Sequence, residues 1–272
     1  MVISDPTIIL TGTSGYSYPE WKDAGFYPAD TPSGGMLSEY AHHFSVTELN
    51  YTWYQMPKAQ AVERMLKQVP EQFRFAAKLT RKLTHEVEPD LWRKNAALYR
   101  EGMSPLIQSG QLSAVLAQFP PSFRRTPENR TYLAMLLDTM ADMPLAIEFR
   151  HISWAEEKVY EEFSKRKITL VTVDVPDLPW LFPSIDVVTN PDLFYIRFHG
   201  RNKKGWQSGN MQHQFDYDYQ EAELSLYAEK RIPHMVEKAK TGLLFFNNHV
   251  RAQAPKNARQ IIAMLVRKGV LS

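Results

Sequence analysis

Side chains that can transfer protons or form covalent bonds occur in this sequence at the ends of successive short apolar runs. A carboxylate such as Glu48 or Glu148 can act as a general base if burial raises its pKa, with Lys78 or His199 as the acid partner. We therefore predict metal-independent acid–base chemistry at these run ends. The candidate catalytic residues are Glu48, Lys78, Glu148, Asp174 and His199.

Lys78 has two further interpretations. Its neighbours Ala76 and Ala77 are small and leave space above it, so Lys78 could form a Schiff base at a strand end. The structural alternative, which we favour for Lys78 taken alone, is an ion pair with Glu48 on the neighbouring strand. The polar cluster as a whole predicts either a ligand site or a buried structural layer of ion pairs.

Other polar residues near the same run ends are of types that bind ligands. Arginine presents a fixed fork of donors that suits phosphate or carboxylate. Further basic residues, among them Arg81, Lys82, His85 and Arg251, lie in adjoining loops. We therefore predict a small phosphorylated or carboxylated ligand, with a solvated basic rim as the alternative for the loop charges. The candidate binding residues are Tyr16, Asn50, Gln118, Arg150, Arg197, Arg201, Asn247, Asn248 and His249.

Aromatic residues accompany these loops, and aromatic faces can stack on a sugar or a base. Trp21 and Trp53 are expected to pack and hold their loops. Trp206 lies in a polar loop between Gly205 and Gly209 and is expected to be a mobile contact residue. The complete set is Tyr16, Tyr18, Trp21, Trp53, Tyr54, Trp180 and Trp206.

A metal site is a weaker interpretation of the same residues. Glu48, Glu148, Asp174, His199 and His249 are ligand types found on barrel strand ends. However, the sequence has no HxH or HExxH spacing, and lysine and arginine would compete for the carboxylates. We assign no metal ligands; a divalent metal is an open but unfavoured cofactor, and the cofactor stays unknown.

Strands and helices must alternate to position these residues. Helical patterns lie between most of the apolar runs, which favours right-handed βαβ units and a parallel sheet. The predicted strands are Ile8–Thr13, Val46–Asn50, Phe73–Leu79, Leu112–Phe119, Leu145–Arg150, Leu170–Val175, Leu193–His199 and Leu243–Asn248. The predicted helices are Leu37–Phe44, Ala59–Gln68, Asp90–Gln108, Pro127–Met140, Trp154–Lys167, Tyr219–Lys240 and Pro255–Lys268.

The two faces of the predicted strands favour a closed barrel over an open sheet. In Leu193–His199 one face is apolar, whereas the other carries Tyr195, Arg197 and His199. Open parallel sheets are covered by helices on both faces and should be apolar on both, whereas the inside of a barrel opens into a mouth. We predict a (β/α)8 TIM barrel with an irregular sixth unit at 177–190 and a long loop at 201–218 over the mouth.

Size and composition agree with one such barrel. The 272 residues are close to the ~250 of a typical barrel, so we predict one domain spanning residues 1–272. A net charge of +2 does not suggest a protein that coats polyanions, and the lack of cysteine excludes disulfides and thiolate sites. The sequence shows no signal peptide and no long apolar run, so we expect a cytoplasmic protein without membrane contact.

Ordered short motifs along the chain resemble those of one family. They include Gly12–Trp21, Phe26–Pro28, Glu48–Tyr54, Phe73–Phe75 with Lys78, Thr84–Glu86, Gln118–Phe123, Glu148–His151 with Trp154, Arg197–Arg201, and Phe246–His249 with Ala254, Pro255, Asn257 and Ala258. Together they resemble the YecE-like family (domain of unknown function 72) over nearly the whole chain. The resemblance implies a TIM barrel but no reaction. A suggested likeness of such proteins to metal-dependent barrel endonucleases is an analogy of fold alone.

Three functions are compatible with these features. If the protein is an enzyme acting on a small anionic metabolite, we expect a deep pocket with one carboxylate that no partner neutralises. A nucleic-acid binding or processing protein predicts a basic stripe beyond the mouth and salt-sensitive binding. A non-catalytic barrel that binds a ligand or partner predicts a shallow or plugged mouth with every carboxylate paired. The sequence leaves the substrate, the reaction class and the oligomeric state open.

Overall fold

Eight parallel strands form the centre of the molecule in a computed structural model, which describes residues 7–271. Neighbouring strands follow one another in the order β1-β8-β7-β6-β5-β4-β3-β2. The strands are β1 Ile8–Thr13, β2 Val46–Leu49, β3 Arg74–Lys78, β4 Leu112–Gln118, β5 Leu145–Glu148, β6 Thr169–Asp174, β7 Leu193–Phe198 and β8 Thr241–Phe246.

The first and second strands close the sheet into a barrel. Ser14, just after β1, bridges Glu48 of β2, and the Gly15 N–H donates to the Glu48 carbonyl at 2.8 Å. The strands approach so closely at this seam that a Cβ on Gly12 would lie 2.1 Å from the Val46 carbonyl oxygen. The predicted (β/α)8 barrel is thereby confirmed, and the open-sheet alternative is wrong.

Helices surround the barrel and cover the outer strand faces. They are α1 Glu20–Asp23, α2 Met36–Ala41, α3 Tyr51–Tyr54, α4 Ala59–Leu66, α5 Trp92–Gln108, α6 Pro127–Thr139, α7 Glu157–Arg166, α8 Lys203–Ser208, α9 Met211–Gln214, α10 Glu221–Leu226, α11 Ile232–Val236 and α12 Gln253–Arg267. Within residues 7–271, no helix is long and apolar enough to cross a membrane.

Alternate side chains of the strands point to opposite faces of the barrel wall, as the sequence predicts. Phe149 of the β5 end stacks on Trp154 with ring centroids 4.4 Å apart, and Phe198 of β7 packs against Tyr227 outside the barrel. The intervening residues Tyr195 and Arg197 point inward and are buried. Apolar burial between sheet and helices therefore fixes which side chains of each strand enter the barrel.

Three segments depart from the regular pattern. The sixth unit is irregular as predicted, since residues 175–192 between β6 and β7 contain no helix. The predicted helix Tyr219–Lys240 is divided by a π-helical segment, Tyr227–Arg231, between α10 and α11. Pro233 lacks the N–H that an uninterrupted helix would use there. The predicted loop at 201–218 contains two short helices, α8 and α9.

Candidate functional site

Arg197 lies at the centre of a buried group of charges inside the barrel. It extends from β7 and contacts carboxylates on two other strands. Its Nη2 lies 2.6 Å from Oε1 of Glu48, and its Nη1 lies 2.7 Å from Oε2 of Glu148. Arg150 is the fourth member, with Nε 2.5 Å from Oε1 of Glu148. We call Glu48, Glu148, Arg150 and Arg197 the ion layer.

Glu48 is fully engaged within the ion layer. Its second oxygen, Oε2, accepts a hydrogen bond from the Tyr195 hydroxyl at 2.5 Å. Burial and the nearby Glu48 carboxylate raise the pKa of Tyr195 well above its ordinary value, so the phenol stays protonated and donates. Arg197 also donates to the Ser14 hydroxyl at 3.3 Å. Both oxygens of Glu48 therefore have a donor from β7.

Glu148 is ionised and is not the raised-pKa base that the sequence predicted. Burial by itself would raise the pKa of Glu148, but Arg150 and Arg197 outweigh burial and hold it well below its ordinary value. The Arg150 Nε–H is close to Oε1 but is not aimed at it as a hydrogen bond, so the attraction of this pair is chiefly between charges. Glu148 therefore stabilises the arginines and is a poor proton acceptor at neutral pH.

His199 completes the surroundings of Glu148. Its Nε2 lies 3.2 Å from Oε1 of Glu148, and its Nδ1 lies 3.0 Å from the Asn247 amide nitrogen. Burial and the Arg150 charge lower the pKa of His199 to about 3, so the ring is neutral. The Arg150 Nη2 lies 3.2 Å from the same Nε2 and can only donate, so Nε2 accepts from Arg150. A neutral ring held in this way does not serve as the predicted acid partner near pH 7.

A cavity of about 840 Å³ opens above the ion layer, at the carboxyl ends of the strands. We call it the mouth cavity. Nine of the sequence-predicted site residues line it: Tyr16, Glu48, Asn50, Lys78, Gln118, Arg150, Arg197, Asn247 and His249. Glu148 and His199 lie beneath it, in contact with Arg150. The shared placement of polar strand ends thus brings most of the predicted residues together.

Lys78 is a cation of the mouth cavity that has no carboxylate partner among residues 7–271. Within the described part of the chain, no carboxylate oxygen lies within 4.0 Å of its Nζ, which is 5.0 Å from the ring centre of Trp53. Burial and the Arg197 guanidinium lower the pKa of Lys78 to about 7, against the opposing effect of Glu148 and Glu48. The favoured prediction of a Lys78–Glu48 ion pair is wrong, because Arg197 and Tyr195 occupy Glu48.

Three predicted residues lie away from the mouth cavity. Asp174 receives hydrogen bonds at 2.7 Å from the hydroxyls of both Tyr219 and Tyr227, and it pairs with Arg201 at 2.6 Å. Asn248 is buried and donates to the Tyr217 carbonyl at 2.8 Å. Asp174, Arg201 and Asn248 therefore join the barrel end to the segment around α10, and we leave them out of the proposed site.

Aromatic side chains form the walls of the mouth cavity. Tyr18 stacks on His249 with ring centroids 4.6 Å apart, and Trp21 donates to the His249 carbonyl at 2.8 Å. Trp21 is fully buried and holds its loop, as expected. Trp206 is only 7% exposed and lies over the Arg150 guanidinium at 5.1 Å. Trp206 is thus placed within the short helix α8, as part of the wall of the cavity.

Some cavity-lining residues were not among the predicted site residues. His85 faces Trp53 at a centroid distance of 4.9 Å, and burial with the Lys78 charge lowers its pKa to about 4. Tyr51 belongs to α3, and its hydroxyl is buried without a partner among the described atoms. Gln214 and Phe215 come from the long loop after β7. The only sequence signal for this last pair was the length and polarity of that loop.

The residues considered as metal ligands are engaged with other groups. In the described chain, no group of three His, Asp or Glu side chains converges on one point. Glu48 and Glu148 face Arg197, and Asp174 lies apart from them, beside Arg201.

The fold and the cavity define a (β/α)8-barrel protein with a ligand-sized pocket at the carboxyl ends of its strands. Residues 10–271 match the family described as "Protein of unknown function DUF72", and the chain belongs to this family. It is 30% identical to the UPF0759 protein YunF of Bacillus subtilis over 260 residues, which cover 90% of this chain and 92% of YunF. It is 28% identical to the UPF0759 protein YecE of Escherichia coli over 145 residues, which cover 53% of this chain and 49% of YecE.

Solved structures of DUF72 family proteins have the same architecture. One from Thermotoga maritima superposes with a TM-score of 0.85 at 35% identity, covering 95% of this chain and 99% of that protein. One from Enterococcus faecalis superposes with a TM-score of 0.86 at 31% identity, covering 97% and 96% respectively. The family and fold that the motifs predicted are confirmed.

Proposed function

We propose that this protein is an enzyme that binds a small phosphorylated or carboxylated ligand in the mouth cavity and exchanges a proton with it through Lys78. The observation that carries the proposal is the environment of Lys78. It is a half-buried amine that faces a cavity and has no carboxylate within 4.0 Å among the described residues. Arg150 and Arg197, its neighbours in the cavity, are both paired with glutamates.

The charge balance of the site supports an anionic ligand. The two carboxylates of the ion layer neutralise its two arginines, and His199 is uncharged. Protonated Lys78 therefore leaves one uncompensated positive charge beside the cavity. A phosphate or carboxylate group placed there would be attracted to Lys78 in surroundings that screen charge less than water does.

The size and lining of the cavity support a small-molecule ligand. Its volume of about 840 Å³ lies within the range of roughly 300–1,000 Å³ typical of small-molecule sites. Tyr18, Trp53 and Trp206 line it and give it an aromatic wall. Asn50 and Gln118 offer amide groups that could orient polar substituents of the ligand.

The proton chemistry follows from the pKa of Lys78. An amine with a pKa of about 7 exists as acid and base in similar amounts at neutral pH, which suits a general acid–base residue. Glu48 and Glu148 are both paired with arginines, so the unneutralised carboxylate that we expected of an enzyme is not found at either residue. They hold Arg197 and Arg150 in place beneath the cavity, and Lys78 is the group that reacts.

We expect a ligand carrying phosphate or carboxylate to bind more tightly below pH 7, where Lys78 is protonated, than above it. Replacing Lys78 by methionine should weaken that binding about tenfold or more, because a hydrogen bond to a charged group contributes roughly 1.5–3 kcal/mol. Isothermal titration calorimetry with hits from a thermal-shift panel of sugar phosphates, nucleotides and oxo acids measures both effects. Equal affinity of the wild type and the Lys78→Met variant would overturn the proposal.

The control for this experiment is Lys82→Met. Lys82 is exposed in the same β3–α5 connection and does not line the mouth cavity. Its replacement removes the same charge from the protein while leaving the cavity unchanged. Loss of binding in both variants would indicate only a general electrostatic attraction to the basic rim.

Nucleic-acid binding has less support. A second, open groove is lined by Arg201, Lys203, Lys204 and Arg251. However, Arg201 is paired with Asp174 at 2.6 Å, and Arg251 with Asp216 at 2.6 Å. Two of the four cations of this groove are thus already neutralised.

A further inference from the structure

We infer that Lys78 is a site of covalent chemistry and forms a Schiff base with an aldehyde or ketone that also carries a carboxylate or phosphate group. This inference rests on the proposed function, because it uses the same cavity and the same amine. It adds the substrate class and the bond that forms.

The position of the amine supports nucleophilic attack. Lys78 is the last residue of β3, and its carbonyl accepts hydrogen bonds from the Thr52 hydroxyl at 2.5 Å and the Tyr99 hydroxyl at 3.3 Å. The backbone that carries the amine is thus fixed. Its Nζ lies 5.0 Å from the ring centre of Trp53, inside the mouth cavity. An ion-paired lysine would have to break its pair before it could attack, and Lys78 has no such pair among the described residues.

The charges around Lys78 keep a fraction of the protein molecules with this amine unprotonated, which is its nucleophilic form. Only the unprotonated amine can attack a carbonyl carbon. Arg197 lines the same cavity and disfavours a second positive charge there, and the carboxylates that would favour one are held by the arginines. A lysine buried near a cationic group is the usual arrangement for an activated amine.

Arg150 supplies a place for the anionic group of the substrate. Its Nε faces Glu148 and its Nη2 faces His199, whereas its Nη1 donates no hydrogen bond to the described atoms. Arg150 lines the mouth cavity below the Trp206 ring. The unused Nη1 donor can therefore hold a carboxylate or phosphate oxygen while the carbonyl carbon faces Lys78.

The reaction balances without another reactant. Nζ attacks the carbonyl carbon, the C–O double bond becomes a single bond, and one proton moves from nitrogen to oxygen to give a carbinolamine. The second proton of the amine then leaves with the hydroxyl group as water, and a carbon–nitrogen double bond remains. When protonated, this bond withdraws electrons from the adjacent carbon, which favours breaking a C–H or C–C bond there. Hydrolysis returns the carbonyl product and the free amine.

The test is reductive trapping on the full-length protein. The probes are glyoxylate and pyridoxal 5′-phosphate, each with sodium cyanoborohydride, and their non-carbonyl counterparts are glycolate and pyridoxine 5′-phosphate. Peptide mass spectrometry should find Lys78 modified at least tenfold faster than Lys82, with a rate that rises with pH through about 7. Lys78→Arg, which keeps the charge but cannot form a Schiff base, should lose the modification at this peptide.

The outcomes separate the inference from the proposed function. If the glycolate or pyridoxine phosphate raises the melting temperature of the wild type but not of Lys78→Met, and no probe is trapped at Lys78, the Schiff base is overturned while the anion site stands. If Lys78 is modified no faster than Lys82 and no anion raises the melting temperature, both fail. Selective trapping at Lys78, lost in Lys78→Arg, supports both.

Discussion

Replacing Arg197 by methionine is expected to lower the free energy of unfolding by about 3–5 kcal/mol, because removing one member of a buried ion group leaves uncompensated charge. Arg197 is only 1% exposed, and it contacts both Glu48 and Glu148. Glu148 keeps Arg150 as a partner in this variant, whereas Glu48 keeps only the Tyr195 hydroxyl. Urea denaturation followed by circular dichroism measures the change.

Arg166→Met is the control for this prediction. Arg166 is partly exposed at the end of α7 and pairs with Asp138 at 2.6 Å and Glu162 at 2.7 Å. Surface pairs of this kind contribute about 0–1 kcal/mol. If Arg166→Met and Arg197→Met are destabilised equally, the central role of Arg197 is wrong. If Arg197→Met does not fold, adding Glu48→Gln should restore folding, because it removes the charge left unpaired.

Replacing Lys78 by methionine is expected to stabilise the protein at pH 6, by roughly 2–5 kcal/mol. Folding lowers the pKa of Lys78 from 10.5 to about 7. Between these values the unfolded chain binds a proton that the folded chain does not, so the stability of the wild type rises with pH. Below pH 7 both states are protonated, and the full cost of the buried charge is present. The gain from methionine should therefore be largest below pH 7 and shrink as the pH approaches 10.5.

The same denaturation series distinguishes Lys78 from a structural ion-pair lysine. If Lys78 stabilised Glu48, its removal would destabilise the protein at every pH at which both are charged. Lys82→Met provides the baseline for removing a lysine from this connection. A Lys78→Met variant that is less stable than Lys82→Met at pH 6 would contradict the unpaired state of Lys78.

Much of the fold could be predicted from the sequence because each strand repeats one simple pattern. In β7, apolar Phe194, Ile196 and Phe198 alternate with Tyr195 and Arg197, and burial of the apolar set against helices forces the polar set inward. The position of the site follows from the same alternation, since all strands run parallel and their carboxyl ends meet at one mouth.

The pairing of charges inside the barrel could not be predicted in the same way. Neighbouring strands suggested that Lys78 would pair with Glu48. Arg197 instead contacts carboxylates on β2 and β5, neither of which is a neighbour of β7. Such contacts depend on the height of each residue along the barrel and on the reach of each side chain, which a pattern of residue types does not specify. The expectation that Glu148 could be a base failed for a similar reason, because Arg150 and Arg197 both contact its carboxylate.

For the loops, only the approximate extent and the covering position could be predicted from the sequence. Length and polarity identified 201–218 as a covering segment. The position of Trp206 over Arg150 depends on α8, whose start is capped by the Asn202 side chain accepting from the Gly205 N–H at 3.1 Å. A short helix of this kind has a weak apolar pattern, and its packing on the rest of the barrel fixes its place.

The most direct test of this account is a titration of the Lys78 amine itself. The protein, with its lysines labelled with ¹³C at Cε, is followed by NMR from pH 5 to 11, and the signal absent from Lys78→Met identifies the residue. We predict a midpoint near pH 7 that moves upward when an anionic ligand binds, because a nearby negative charge favours the protonated amine. A midpoint near 10.5, the ordinary value for lysine, would show that Lys78 is paired or solvated and would contradict both its proposed catalytic role and the site built around it.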